Sequence, residues 1–86
     1  MKENEKILKA FANARRLQIV KFLKERKRST VGAVSGHIKL SFRSTSKHLI
    51  ILRDAGILDK EQKELMAFYF FADPMPKIAR KVLEAI

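Results

Sequence analysis

The sequence predicts a mostly α-helical fold with a small antiparallel β-hairpin: about five helices, with two strands before the last helix. Apolar residues recur at helical spacing through residues 7–55. Two short apolar runs then flank the charged segment DKEQKE (59–64), which is typical of a hairpin. At 86 residues the chain is expected to form one domain, 1–86.

The first three helices are short, and each has a recognisable start or end. The first carries apolar residues at helical spacing: Ile7, Leu8, Phe11 and Ala12. Asn13 is suited to cap the second helix, which ends at the cations of KERKRS (24–29), beside the negative end of its dipole. Ser29 or Thr30 caps a third helix of about two turns, anchored by Val31, Val34 and Ile38.

The fourth helix, residues 42–55, has a polar first half and ends at Gly56, a left-handed C-cap. A helical wheel places on its core side Thr45, Leu49 and Leu52. The opposite side carries Arg43 and Lys47, flanked by the hydroxyls of Ser44 and Ser46. Serine is a mediocre residue in helix interiors, so this crowding indicates a function other than helix stability. Ile50 also faces outward, where it contacts a thymine methyl group or, if the wheel misplaces it, packs inward.

The chain ends in a hairpin and an amphipathic helix. The second strand, LMAFYFF (65–71), is apolar on both faces, so a partner surface is expected to cover one of them. Asp73 caps the last helix, with Pro74 at its first position. Its apolar stripe consists of Met75, Ile78, Ala79, Val82, Leu83 and Ile86.

Charge and composition narrow the function. The net charge is +10, and the excess lies in residues 1–56, because residues 57–86 carry equal numbers of basic and acidic groups. This asymmetry favours a polyanionic partner, nucleic acid before membrane, over a basic protein without such a partner. No apolar run reaches the ~20 residues of a membrane span, and the N-terminus lacks a signal-peptide apolar region. The absence of cysteine fits a cytoplasmic protein without disulfides.

Enzymatic function is not expected. The sequence has no phosphate-cradling glycine-rich loop, and neither histidine has a carboxylate or nucleophile partner at motif spacing.

Two short helices joined by a tight connection (39–41), the second with a polar N-terminal half, predict a helix-turn-helix. From LKAFANARRLQIVKFL (8–23) to strand 65–71 the chain resembles the ArsR-type (arsenic-repressor-like) winged helix-turn-helix transcription regulators. The most specific likeness is SKHL (46–49) with LRDAGIL (52–58), similar to the family's Ser-Arg-His-Leu and Leu-Arg-Glu-Ala-Gly-Leu-Val.

The resemblance implies a sequence-specific DNA-binding regulator, expected to be a repressor, which binds double-stranded DNA as a homodimer through recognition helix 42–55. The two-stranded wing would reach flanking backbone. The expected DNA-contacting residues are Ser41, Arg43, Ser44, Ser46, Lys47, His48, Lys60 and Lys63. Further candidates for backbone contact are Arg26, Lys27, Arg28 and Thr30. The dimer would join the exposed apolar faces of the first and last helices through Ile7, Leu8, Phe11, Met75, Ile78, Ala79, Val82, Leu83 and Ile86.

The chain departs from the family pattern where members of the family bind metals. RSTVGAVSGHI (28–38) has no thiol, and the last helix offers Asp73 and Glu84 but no histidine. His37 and His48 alone do not supply the three or four ligands of a zinc site. No metal or other cofactor is therefore expected.

Two further departures affect the turn and the wing. Lys39 replaces the usual glycine of the turn, and the wing segment 59–64 is slightly acidic without a glycine. The wing is thus expected to contribute little, or to contact backbone only through its lysines. The alternative function is a winged-helix protein-interaction module or RNA-binding protein, for which an outward Arg43 and Lys47 would have no evident use.

Overall fold

The structure is a computed structural model that describes residues 2–86. Within that range it contains five helices and three strands, in the order α1 Lys2–Phe11, α2 Ala14–Arg26, β1 Arg28–Thr30, α3 Val31–Ile38, α4 Phe42–Asp54, β2 Leu58–Lys63, β3 Met66–Phe71 and α5 Lys77–Ala85. The predicted fold class is confirmed: α3 and α4 form a helix-turn-helix, and an antiparallel wing precedes the last helix.

Side-chain caps determine where α2 and α3 begin. The Asn13 side-chain oxygen accepts a hydrogen bond from the backbone N–H of Arg16 at 3.0 Å, so the predicted cap of α2 is confirmed. Thr30 Oγ1 accepts from the backbone N–H of Ala33 at 3.2 Å. Thr30, rather than Ser29, therefore caps α3.

A residue with positive φ lies on each side of α4: Lys39 before the helix and Gly56 after it. Gly56 has φ of 81°, as predicted for a glycine that ends a helix, and a Cβ added there would lie 3.2 Å from Pro76 Cγ. Lys39, at the end of α3, has φ of 55°, the left-handed conformation that glycine adopts at lower cost. The sharp turn of the helix-turn-helix is thus made with a lysine.

The wing is a three-stranded sheet, not the predicted two-stranded hairpin. Strand order is β1-β3-β2, and β1 pairs antiparallel with β3, Arg28 opposite Phe70. Three residues are too few to show the alternation of a strand, and the Ser and Thr among them are equally typical of helix caps. β1 could therefore not be predicted from the sequence pattern.

The charged segment 59–64, expected to join the two strands of the hairpin, is strand as far as Lys63. β2 runs from Leu58, opposite Phe71, to Lys63, opposite Met66. The turn is reduced to Glu64 and Leu65, of which Glu64 has φ of 55°. Every residue of β2 after Leu58 is polar and exposed, so the strand lacks the apolar alternation by which it could have been recognised.

The two apolar faces of β3 lie in different surroundings. Tyr69 is buried on one face, and burial raises the pKa of its hydroxyl. On the other face the guanidinium of Arg28 lies 4.7 Å from the ring centroid of Phe68 and 5.8 Å from that of Phe70. Arg28 of the same chain thus covers part of these two rings, which are half-buried, and a partner surface over this face stays a prediction.

The last helix begins later than predicted. α5 starts at Lys77, after Pro76, and has no side-chain cap, so Asp73 is not its N-cap and Pro74 is not its first residue. A proline pushes the preceding residue toward extended backbone. With prolines at 74 and 76, the chain becomes helical only after the second one.

The core contains side chains from every helix and from the start of the wing. Its largest fully buried members are Ile19, Leu23, Leu49, Leu52, Ile57 and Leu58. None of the helices described for residues 2–86 has the length and apolar character needed to cross a membrane.

The expected dimer residues divide into two groups. Four of them are buried in this chain's own core: Ile7, Phe11, Ala79 and Leu83. The prediction that Ile7 and Phe11 form an exposed face is therefore wrong, because α1 packs with that side on α4 and α5. The others remain accessible: Leu8 and Ile86 are exposed, and Met75, Ile78 and Val82 are half-buried.

Candidate nucleic-acid interface

The recognition helix α4 is held by one face and open on the other. Thr45, Leu49 and Leu52 are fully buried, as the wheel predicted. The side-chain oxygen of Ser41 caps the helix by accepting from the backbone N–H of Ser44 at 3.1 Å. The buried Thr45 and the Ser41 cap therefore fix the first turns of α4, and the side chains on the outer face project from a backbone that is held in place.

Two cations dominate the open face of α4. Arg43 and Lys47 are both exposed, and they lie four residues apart, about one helical turn. Ser41 is exposed beside them, whereas Ser44 and Ser46 are half-buried at the edges of this face. Arginine can donate two parallel hydrogen bonds to guanine, and lysine binds phosphate as a point charge. The structure thus brings together the side chains that the sequence selected for groove contact.

Ile50 continues the same open surface. Its side chain is 46% exposed. The interpretation that it packs inward is therefore wrong, because a packed residue would be covered by the core. A contact with a thymine methyl group stays a prediction.

His48 differs from the other candidates, because its ring is engaged within the protein. Its Nδ1 lies 3.1 Å from Nη1 of Arg16, and the side chain is half-buried. Burial, together with the charges of Arg16 and Arg15, lowers the pKa of the imidazole below its usual value. His48 therefore occupies the boundary between the open face of α4 and the rest of the domain.

The backbone candidates between α2 and α3 are less free than their charge suggests. Arg26 lies over the Phe22 ring at 5.1 Å, and Lys27 ends α2 with its backbone N–H donating to the Leu23 carbonyl. Arg28 Nη2 donates to Glu61 Oε1 at 2.8 Å, and this bond lowers the pKa of the Glu61 carboxyl. Phosphate contact by Arg28 would therefore compete with the carboxylate and the two aromatic rings that its guanidinium already meets.

The two wing lysines point to different sides of the sheet. Lys60 is paired with Tyr69 and Lys63 with Met66, and residues directly opposite share a face. Since 60 and 63 are an odd number of residues apart, their side chains project from opposite faces. Both are exposed. One flat phosphate surface therefore cannot meet both without their long side chains bending round the edge.

The two histidines lie in separate environments. The ring of His37 stacks on Phe22, with centroids 4.3 Å apart, and His48 contacts Arg16. Across residues 2–86 no group of three histidine, aspartate or glutamate side chains is placed to hold a metal ion.

Arg15 and Arg16 are functional candidates that the sequence reasoning missed. Neither residue was among the predicted site residues, and both are half-buried on α2. Arg15 Nη1 donates to the carbonyl of Ile38, and Arg16 contacts the end of α1 as well as His48. Long-range contacts of this kind, 23 and 32 residues apart in sequence, leave no local pattern.

Comparison with known proteins agrees with this geometry. Residues 13–60 match the family model described as bacterial regulatory protein, arsR family. The transcriptional activator HlyU of Vibrio cholerae is 34% identical over 80 residues, which cover 93% of this chain and 73% of that protein. The solved HlyU structure superposes with a TM-score of 0.82 at 30% identity, covering 96% of this chain and 86% of that one.

Two further solved structures show the same fold. The transcriptional repressor PagR of Bacillus anthracis has a TM-score of 0.80 at 25% identity, with 98% of this chain and 92% of that chain covered. A homodimeric winged helix-turn-helix DNA-binding domain, Mb0332 of Mycobacterium bovis, has a TM-score of 0.83 at 21% identity, covering 98% of this chain and 74% of that one. At that identity the likeness to Mb0332 concerns the fold alone.

Proposed function

This chain belongs to the ArsR family of bacterial regulatory proteins and is a DNA-binding transcription regulator, not an enzyme, and from that premise we propose that it binds a specific operator as a homodimer. Each protomer inserts the N-terminal half of α4 into the major groove. Arg43 reads a base edge, and Lys47 contacts phosphate. Ser41, Ser44 and Ser46 add hydrogen bonds at the groove edge.

The observation that carries this proposal is the exposed pair Arg43 and Lys47 on a helix whose other face is fully buried. A rigid helix delivers side chains to base edges with defined geometry, as direct readout requires. The net charge of +10 supplies the sequence-independent attraction to DNA.

The test begins with selection of bound duplexes from a random pool at physiological salt, followed by measurement of variants. Arg43→Ala should cost about 1–3 kcal/mol on the selected sequence and relax specificity at one position per half-site. Lys47→Ala should weaken all duplexes alike and reduce the salt slope by about one per protomer. Arg53→Ala is the matched control, because it removes the same charge from the same helix about 15 Å further along.

Two results would contradict the proposal. If no sequence is enriched, the chain does not read DNA specifically. If Arg43→Ala and Lys47→Ala change affinity no more than Arg53→Ala does, α4 is not the reading element. In the first case the basic surface would bind DNA only through general charge, and in the second an element other than α4 would read the sequence.

The proposed dimer forms through the accessible apolar residues of α1 and α5. Leu8 and Ile86 are exposed, Ile78 and Val82 are half-buried, and the two helices pack beside each other in the protomer. The buried residues Ile7, Phe11, Ala79 and Leu83 support these helices from beneath.

We further propose that the chain represses transcription. A dimer whose helices occupy successive major grooves blocks access to the DNA that it covers. PagR is named as a repressor and HlyU as an activator, so the direction needs its own test. In transcription from a template with the selected operator across the promoter, added protein should reduce transcript; an increase would show activation instead.

The proposal includes no metal or other cofactor. The chain has no cysteine, and both histidines have partners within the protein. DNA affinity should be the same with zinc, nickel or arsenite present and after treatment with thiol oxidants. A change greater than about tenfold, with metal bound stoichiometrically, would contradict this.

A further inference from the structure

Arg16 connects three parts of the protein. Its Nε donates to the carbonyl of Ala10 at 2.6 Å, and its Nη2 donates to that of Lys9 at 3.3 Å. Both carbonyls belong to the last turn of α1, and that of Lys9 also accepts from the backbone N–H of Ala12 at 3.2 Å. The third nitrogen, Nη1, lies 3.1 Å from Nδ1 of His48 on α4. One planar side chain therefore ties α2 to α1 and to the recognition helix.

The contact with His48 has a defined direction. A guanidinium has only donors, so Nδ1 of His48 must be the acceptor. The imidazole is then neutral and carries its proton on Nε2. The lowered pKa of His48 agrees with this state, since burial and the neighbouring arginines disfavour the charged ring. The bond thus selects both the charge and the tautomer of His48.

Arginine is chemically suited to this place. Its rigid fork presents donors in several fixed directions, so one residue can satisfy two carbonyls and one ring nitrogen together. Arg15 reinforces the arrangement by donating to the carbonyl of Ile38 at the end of α3. The helix-turn-helix is therefore held at two points by adjacent residues of α2.

We propose that Arg16 is a positioning residue, which sets the orientation of α4 relative to α1 through Nδ1 of His48 and does not itself contact DNA. This inference rests on the proposed function, in which α1 lies in the dimer seam and α4 in the groove. A change in the angle between them moves the two recognition helices relative to each other. Half-sites are read correctly only when these helices lie about 34–36 Å apart.

The first experiment measures orientation without DNA. Because the chain has no cysteine, Lys6→Cys and Ile50→Cys place two spin labels on exposed positions of α1 and α4. Labelled chain is diluted with unlabelled chain, so that each distance belongs to one protomer. Arg16→Gln should broaden or shift the distance distribution. An unchanged distribution would overturn the proposal.

Two replacements of His48 test the same contact as a matched pair. They leave the bonds from Arg16 to α1 in place, so they still decide the question if Arg16→Gln fails to fold. In His48→Asn the amide oxygen lies near the position of Nδ1 and still accepts from Arg16, whereas the longer side chain of His48→Gln places its polar atoms near Nε2. The distribution should stay narrow with asparagine and broaden with glutamine. The reverse result would show that Nε2, and not the bond to Arg16, is the important atom.

The second experiment compares operators with the selected half-site spacing and with one base pair added or removed. Arg16→Gln and His48→Gln should lose about tenfold in affinity for the selected spacing and little for the altered ones, with an unchanged salt slope. A slope reduced by about one per protomer, with spacing preference intact, would instead make Arg16 a phosphate contact. If the parent chain selects no operator, the proposed function fails, and the spin-label comparison still decides the role of Arg16.

Discussion

A substitution of Thr45, on the core side of the recognition helix, should raise the stability of the protein. Its side chain is fully buried, and its Oγ1 has no hydrogen-bond partner among residues 2–86. Valine has the same shape, with a methyl group in place of the hydroxyl, and the two residues have similar helix propensity. An unsatisfied buried polar group costs about 1–3 kcal/mol. Thr45→Val should therefore raise the free energy of unfolding by about 1–2 kcal/mol.

The assay is denaturation by urea and by heat at one chain concentration, because dimer formation would make stability depend on concentration. A gain of 1 kcal/mol should raise Tm by about 4–8 °C in a domain of this size. Thr45→Ser is the matched control: it keeps the hydroxyl, removes the methyl group, and should lower stability. DNA affinity of Thr45→Val should be unchanged, since the residue faces the core. A lower midpoint for Thr45→Val than for the parent would refute the reasoning.

Three other changes test the dimer, the wing and a titrating group. Val82→Glu should give a monomer by analytical ultracentrifugation at micromolar concentration, because an unpaired charge in an apolar seam costs several kcal/mol; a persisting dimer would show that α5 is not in the seam. Glu61→Gln should release Arg28 and remove a negative charge from the wing, so DNA affinity should rise and its salt dependence should steepen; unchanged binding would show that the wing is remote from DNA. The pKa of His48 lies below its ordinary 6.5 in the folded protein, so the unfolded chain binds the proton more readily. Stability is then fully present above 6.5 and falls with decreasing pH until the folded pKa is passed. Urea midpoints measured across this range should show the decrease, and His48→Asn should reduce it; an equal decrease in that variant would assign the effect to other groups.

The elements with strong local signals were predicted well from the sequence. Residue type and spacing predict the cap at Asn13, the end of α4 at a left-handed Gly56 and the buried face of α4. The structure confirms each of them. Arg43 and Lys47 were placed on the open face by the wheel alone, because both faces of a helix follow from its period. Their exposure agrees with that placement.

The misses concern short or composite features. β1 has three residues, and β2 is polar at every position after Leu58, so neither shows the alternation by which a strand is recognised. The start of α5 was placed too early because Asp73 with Pro74 looks like a helix cap, whereas Pro76 delays the helix. The exposure of α1 was misjudged at Ile7 and Phe11, because an amphipathic pattern shows which residues share a face but not what covers it.

By itself, the sequence determined the helix order, the helix-turn-helix, the basic character and the residues that face outward from α4. These depend on periodicity, capping and charge, which act between residues a few positions apart. Only the tertiary structure decided that Arg28 covers Phe68 and Phe70 and that Arg16 bonds to His48. Such contacts join residues 32 to 42 positions apart, and they form only when the packed core brings those side chains together. Arg16 and Arg28 therefore owe their roles to the fold and not to the residues beside them in the sequence.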